Sequence, residues 1–288
     1  MAHHIAFLGK NGVGTTTVVS NITAALTEAG FRVLMVGCSP DADSCSQLLD
    51  PSVPSAVSHE VSTLPASILK KTVISGFKGA GCVELHGVDT TSGAVSNLKR
   101  LHAEGAFSEW KPDFILFDVP GDGSNGTLKA IVDEVGLELL FVITSADLKA
   151  LQKANDIFRF LGGYDREYGR SLPLGGLILN NISSSFEEAF ANDFAYHTNV
   201  RPIGKIPRSA TVRQSELYGT TVIEARPKSN QSYYYRRLAN QIVDATEVPS
   251  SRNQPFPLST ERLSEWRLDW AERINVLENG LVSDGAAI

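Results

Sequence analysis

Cysteine is scarce in this chain. Cys38, Cys45 and Cys82 are the only three in 288 residues, and any pairing leaves one over, so a disulfide framework is excluded and a reducing compartment is expected. Basic residues are thinly spread as well. Lys and Arg number 26 against 32 Asp and Glu, a formal net charge of −6, and no dense Lys/Arg tract interrupts that balance. This argues against nucleic acid or an anionic membrane as the main partner. No apolar run reaches the roughly 18 residues of a membrane span. The first residues enter a strand pattern rather than a signal peptide, which makes the cytoplasm the expected compartment.

The most telling absence is one lysine. Gly9-Lys10-Asn11-Gly12-Val13-Gly14-Thr15-Thr16-Thr17 has the glycines that let backbone N–H groups turn around phosphate oxygens, and it has the hydroxyl that follows them. At the position of the phosphate-binding lysine stands Thr15. The surroundings still suit such a loop. His4-Ile5-Ala6-Phe7-Leu8 reads as a short buried strand, and Val18, Ile22, Ala25 and Leu26 then fall on one helical face. Gly30 closes that helix, and Arg32-Val33-Leu34-Met35-Val36 is a second strand, giving a βαβ start with a glycine-rich turn where phosphate would sit.

Further strands are expected at 113–118, 137–143, 175–180 and 201–206. Helices are expected at 65–72, 92–102, 148–161 and 233–246, with a polar region to about 63 and a glycine-rich loop at 76–87. Strands alternating with helices imply an α/β fold with a doubly wound, mostly parallel sheet. There are no internal repeats. Residues 1–247 are expected to form the nucleotide-binding domain. Residues 248–288 form a Pro- and Ser-containing linker and a terminal helix, on which Leu263, Trp266, Trp270, Ile274 and Leu277 make one stripe. The opposite face carries mixed charge, so packing on the body or on a second subunit is expected rather than membrane contact.

Other conspicuous residues read as structural. His3-His4 has no third ligand near it in sequence, and Cys38 and Cys45 lack a zinc spacing. Tyr233-Tyr234-Tyr235 opens a helix whose register buries part of it.

Taken in order, the loop at 9–17, the run Gly37-Cys38-Ser39-Pro40-Asp41-Ala42-Asp43-Ser44, the run Asp118-Val119-Pro120-Gly121-Asp122, and Pro207-Arg208 through Thr221-Val222-Ile223-Glu224 resemble the nitrogenase iron protein family. That family includes the iron-protein subunits of the dark-operative protochlorophyllide and chlorophyllide reductases. The likeness covers about residues 5–244. It implies a P-loop homodimer that uses ATP or ADP with magnesium, carries a four-iron cluster between subunits and serves a larger protein partner, possibly nitrogenase-like.

The resemblance also sets out which parts have changed. It places Asn180, Pro207, Glu216 and Gln231 at adenosine-contacting positions, and Gly9, Asn11, Gly12, Val13, Gly14, Thr15, Thr16 and Thr17 in the phosphate loop. Lys10 matches the loop lysine that reaches the partner subunit's site. Thr16, Asp43 and Asp118 match magnesium-binding positions, and Asp122 one that orients water. Ser39 replaces an acidic switch residue. In the two segments that carry the cluster cysteines, residues 87–93 have none and Asn125 takes the second place, while Cys82 resembles the family's non-ligand cysteine. Thiolates suit iron–sulfur clusters and an amide does not, so the ordinary cluster is expected to be absent.

The expectation is a cluster-free nucleotide-binding homodimer with weak or no ATPase turnover, acting as a gated partner, regulator or assembly subunit. One alternative is an ATP-dependent reductase component with unusual cluster ligands such as Cys82. Another is a partitioning or metal-delivery P-loop ATPase.

Overall fold

Strands with two buried faces need helices on both sides, and this chain supplies them. The computed structural model describes residues 2–39, 41–50, 72–85, 91–121, 124–168, 172–247 and 254–279. Within these, strands β1 (His3–Gly9), β2 (Val33–Gly37), β3 (Ile74–Ser75), β4 (Gly81–Glu84), β5 (Phe114–Val119), β6 (Leu139–Thr144), β7 (Leu174–Ile182) and β8 (Pro202–Pro207) form one sheet. Their order is β3-β4-β2-β5-β1-β6-β7-β8, parallel throughout except for the β3–β4 pair. The parallel strands therefore end along one edge of the sheet, where ligand crevices open in doubly wound folds.

Alternation along each strand sorts the core into two layers. Ala6 and Leu8 of β1 face one layer with Ile115, Phe117 and Val119 of β5. Ile5 and Phe7 face the other with Phe114 and Leu116. The first layer is covered by α2 (Thr91–Ala103), α3 (Ala106–Glu109), α4 (Ser124–Ala130), α5 (Leu148–Tyr168) and α6 (Ser185–His197). The second is covered by α1 (Thr15–Glu28), α8 (Val222–Ala225) and α9 (Asn230–Glu247). Helix α7 (Ala210–Leu217) lies between β8 and α8 in the chain.

The stretch 76–87 is not all loop. Gly81-Cys82-Val83-Glu84 is strand β4, paired in parallel with β2 from Leu34↔Gly81 to Gly37↔Glu84. Gly81 is needed there because a Cβ would lie 2.7 Å from the Trp110 ring. The expected helix at 65–72 lies outside the described residues except for Thr72.

The terminal helix α10 (Thr260–Asn279) packs on the body of the same chain. The indole N–H groups of Trp266 and Trp270 both donate to Asp193 Oδ2 of α6 at 2.7 Å. Phe190 stacks on Trp266 and meets Trp270 edge-on. Ahead of the helix, Leu258 N–H donates to Asn155 Oδ1, and Asn155 Nδ2 donates back to Leu258 O. Leu277, at the far end of the stripe, is exposed. No helix among the described residues is long and apolar enough to cross a membrane.

Candidate nucleotide site

The C-terminal end of β1 runs directly into the glycine loop. Gly9 admits no side chain, since a Cβ would stand 2.6 Å from Ile143 O and 2.7 Å from Thr15 Oγ1. Gly12 and Gly14 have φ of 86° and 87°, left-handed conformations that other residues adopt at a cost. Gly14 is the N-cap of α1 and gives it no side-chain cap, and the helix has no acidic residue in its first turn. The first N–H groups of α1 therefore point into an opening suited to an anion.

One cavity of about 420 Å³ lies over this loop and is lined on the other side by Ser39, Asp41, Asp43, Asp118 and Gly121. Thr16 Oγ1 donates to Asp118 Oδ2 at 2.7 Å. Asp118 ends the buried run of β5, and burial raises its pKa above the ordinary carboxylate value while the Thr16 hydrogen bond opposes the rise. Asn11 Oδ1 accepts from Gly121 N–H at 3.1 Å, tying the loop to the exit of β5. Lys10 lines the cavity, and its ammonium donates to Asn11 O at 3.0 Å. Thr15 adds a hydroxyl where a cation would stand. Asp122 lies outside the described residues.

Oxygen donors of this kind suit magnesium, which keeps much of its shell from water and phosphate. No group of three or more His, Cys, Asp or Glu side chains among the described residues converges to hold a metal alone. An ion beside Thr16, Asp43 and Asp118 would therefore take its remaining ligands from a nucleotide and water.

A second cavity of about 420 Å³ adjoins the first and shares Gly12 and Gly14 with it. The four residues assigned to the adenosine side come from four elements and meet at or beside it. Asn180 on β7 donates from Nδ2 to Val13 O at 2.7 Å, holding the loop from behind. Pro207 ends β8, and its carbonyl accepts from Gln231 Nε2 on α9 at 3.2 Å. Glu216 on α7 accepts from Thr17 Oγ1 at 2.6 Å, a bond across 199 residues of sequence. Sequence reasoning missed Asp147, Arg213 and Tyr235, which also line this cavity. Tyr235 is 1% exposed, and its burial agrees with the helical register expected for the tyrosine run. Nothing in its sequence position marks it as facing the cavity.

His3 and His4 are engaged with neighbouring groups, and the three cysteines are buried. His3 Nδ1 pairs with Glu138 Oε2 at 2.8 Å, and His4 Nδ1 meets Gly136 O at 3.0 Å. Cys38, Cys45 and Cys82 are 3%, 1% and 2% exposed. Burial pushes the Cys38 thiol up, and hydrogen bonding with Cys82 together with burial does the same for Cys45. A cluster held between two subunits needs thiolates at the surface, and every cysteine of this chain is interior. The donor set does not fit an iron–sulfur cluster.

Glu84, at the end of β4, was not singled out by sequence. Its Oε1 accepts the Cys45 N–H at 2.7 Å, and its Oε2 has no hydrogen-bond partner among the described residues. A Cβ at Gly37 would collide with that oxygen. Burial lifts the Glu84 pKa from its ordinary 4.5 to about 7. A raised carboxyl pKa favours the fold below about pH 4.5, and that contribution is lost as pH climbs through 7. Its size is on the order of 3 kcal/mol. Glu84→Gln is expected to flatten the fall of Tm between those pH values, and parallel Tm profiles for the two proteins would contradict this.

Comparison with known proteins bears on the whole chain. Residues 3–272 match the family model described as 4Fe-4S iron sulfur cluster binding proteins, NifH/frxC family. Nitrogenase iron protein 2 of Paenibacillus durus is 35% identical over 288 residues, covering 98% of this chain and 97% of that protein. Among solved structures, the septum site-determining protein MinD of Pyrococcus horikoshii OT3, complexed with Mg-ADP, aligns with a TM-score of 0.65 at 21% identity. That alignment covers 84% of this chain and 96% of MinD. Cobyrinic acid a,c-diamide synthase of Mycobacterium smegmatis aligns with a TM-score of 0.63 at 21% identity, covering 89% and 99%. These two likenesses establish the α/β P-loop fold. The family-model match and the 35% identity to an iron protein go further: the chain belongs to the NifH/frxC family.

Proposed function

We infer that this protein is a cluster-free member of its family that binds ATP or ADP with magnesium as a homodimer and acts as a nucleotide-gated partner, regulator or assembly subunit of a larger protein. The observation that carries the reading is the Thr16–Asp118 hydrogen bond at 2.7 Å beneath a glycine loop with open N–H groups. A hydroxyl and a buried carboxylate held together at that point are what a magnesium nucleotide needs. Nucleotide binding in P-loop proteins serves either hydrolysis or a change of shape, and the hydrolytic parts are depleted here. Thr15 gives no charge to the transferring phosphoryl group, and Ser39 gives no carboxylate to metal or water. Binding survives these losses better than turnover does.

A second reading is an ATP-dependent reductase component with an unusually ligated cluster. The 35% identity to a nitrogenase iron protein favours it. The three interior cysteines weigh against it, because electron delivery requires a cluster near the surface. A partitioning or metal-delivery ATPase is favoured only by fold-level likeness.

Lys10 stands at the rim of the phosphate cavity, where its family role requires a second subunit. Sedimentation at micromolar concentration should therefore find a dimer whose population rises with ATP and magnesium. A monomer unchanged by nucleotide would count against the homodimer, and a pull-down that recovers the same proteins with and without ATP would count against gating.

A further inference from the structure

The first turn of α1 lacks the loop lysine, and three carboxylates, Asp41, Asp43 and Asp118, face the phosphate cavity. With a magnesium ion beside Asp43 and Asp118 these carboxylates and Lys10 leave the cavity about neutral, so the charge of a nucleotide polyphosphate placed there is unmatched unless a cation comes from elsewhere. Among the described residues Lys10 is the one cation lining that cavity, and its ammonium is engaged with Asn11 O.

Arg213 is differently placed. It stands three residues before Glu216 on α7, and residues three apart share a helix face with about 5–6 Å between their Cβ atoms. Glu216 is pinned to Thr17 Oγ1 at 2.6 Å, two residues beyond Thr15. Helix α7 is fixed at its start as well, where Ser209 caps it by accepting from Thr211 N–H. Arg213 therefore stands on the helix face that carries Glu216 to the first turn of α1, on a helix held near both ends. Its side chain lines the adjoining cavity together with Gly12 and Gly14, the residues that belong to both cavities. Like Arg208, the other cation lining that cavity, it makes no side-chain hydrogen bond or ion pair with a protein group among the described residues, and of the two only Arg213 shares a helix face with Glu216. A guanidinium left uncommitted beside a phosphate loop is suited to forked hydrogen bonds with phosphate oxygens.

We propose that Arg213 supplies to the nucleotide's phosphates, from α7, the positive charge that Thr15 withholds from the loop. This rests on the nucleotide-binding reading above. It assigns the cation to a residue on the adenosine side of the cleft, so charge that P-loop proteins carry in the loop is carried here by the helix opposite.

Calorimetry with adenosine, AMP and magnesium ATP on the wild type, Arg213→Ala, Arg213→Lys, Thr15→Lys and the Thr15→Lys/Arg213→Ala double variant tests the assignment. Arg213→Ala should weaken ATP by roughly ten- to a hundredfold, leave adenosine within about twofold, and be partly rescued by Arg213→Lys. In the Thr15→Lys background the same alanine change should cost less than about threefold, because two cations serving one charge are not additive. Equal losses for adenosine and ATP would assign Arg213 to cavity shape, and equal losses in both backgrounds would remove the substitution role. Each outcome overturns the proposal and leaves nucleotide binding intact. A wild type that binds none of the three ligands would overturn the nucleotide-binding reading and this proposal together.

Discussion

In the Arg213→Ala background Thr15→Lys is expected to tighten magnesium ATP by roughly ten- to a hundredfold, the value of one charge-assisted contact of about 1.5–3 kcal/mol, and in the wild type, where Arg213 serves the same charge, by less than about threefold. The wild type should bind in the range of about tens of micromolar to millimolar. AMP should gain much less, since a lysine at that position reaches only the outer phosphates. Turnover should not follow from charge alone. The attacking water and the metal need placing, and Ser39, which lines the same cavity as Asp43 and Asp118, offers only a hydroxyl. Adding Ser39→Asp to Thr15→Lys is expected to raise phosphate release well above either single variant. Brisk wild-type turnover, or no gain in ATP affinity from Thr15→Lys in the Arg213→Ala background, would mean that a group other than Arg213 already does the lysine's work.

Asp118→Asn should separate function from stability. The wild-type carboxylate is buried, and desolvation raises its pKa, so its charge is held at a cost to the fold above that pKa. An asparagine keeps an acceptor for Thr16 Oγ1 without the charge, and Tm at neutral pH should rise. The same change removes a hard oxygen anion from the magnesium position. The enhancement of ATP affinity by magnesium should fall by at least roughly tenfold. Titration with and without magnesium, alongside thermal unfolding, reads both effects, and an unchanged magnesium dependence would place the ion elsewhere. Charge retained against stability is what a binding site looks like when its ligand supplies the compensation.

Much of the scaffold was legible because it is periodic. The strands at both ends of the first βαβ unit, β5 and β6 carry continuous apolar runs that only a sheet covered on both faces buries. Strand β4 escaped because Gly81-Cys82-Val83-Glu84 is short and lies in a glycine-rich stretch, and it is a strand through its pairing with β2 rather than through its own pattern. Helix α6 carries its own start signal in the sequence. Ser184 accepts from Glu187 N–H, and Glu187 accepts from Ser183 N–H, close to a capping box. The same logic applies at Thr221 and Glu224.

The site divides in the same way. Loop residues could be read from sequence because glycines at fixed offsets serve one geometry. The meeting of Glu216 with Thr17, of Asn180 with Val13, and of Arg213 and Tyr235 in one cavity is made by the fold across many residues of chain. Local pattern carries no trace of such meetings. Spacing alone set Cys38 and Cys45 apart from a zinc site without showing that they are interior, and the buried Oε2 of Glu84 likewise depends on a contact with Gly37 that only the sheet brings about.

Iron content and visible absorbance of the anaerobically purified protein test the cluster-free reading most directly. A colourless protein without stoichiometric iron is the expected result, because none of the three cysteines reaches the surface. About four sulfur-bound irons per dimer, with a brown absorbance lost on Cys82→Ser, would contradict it and establish a reductase component in its place.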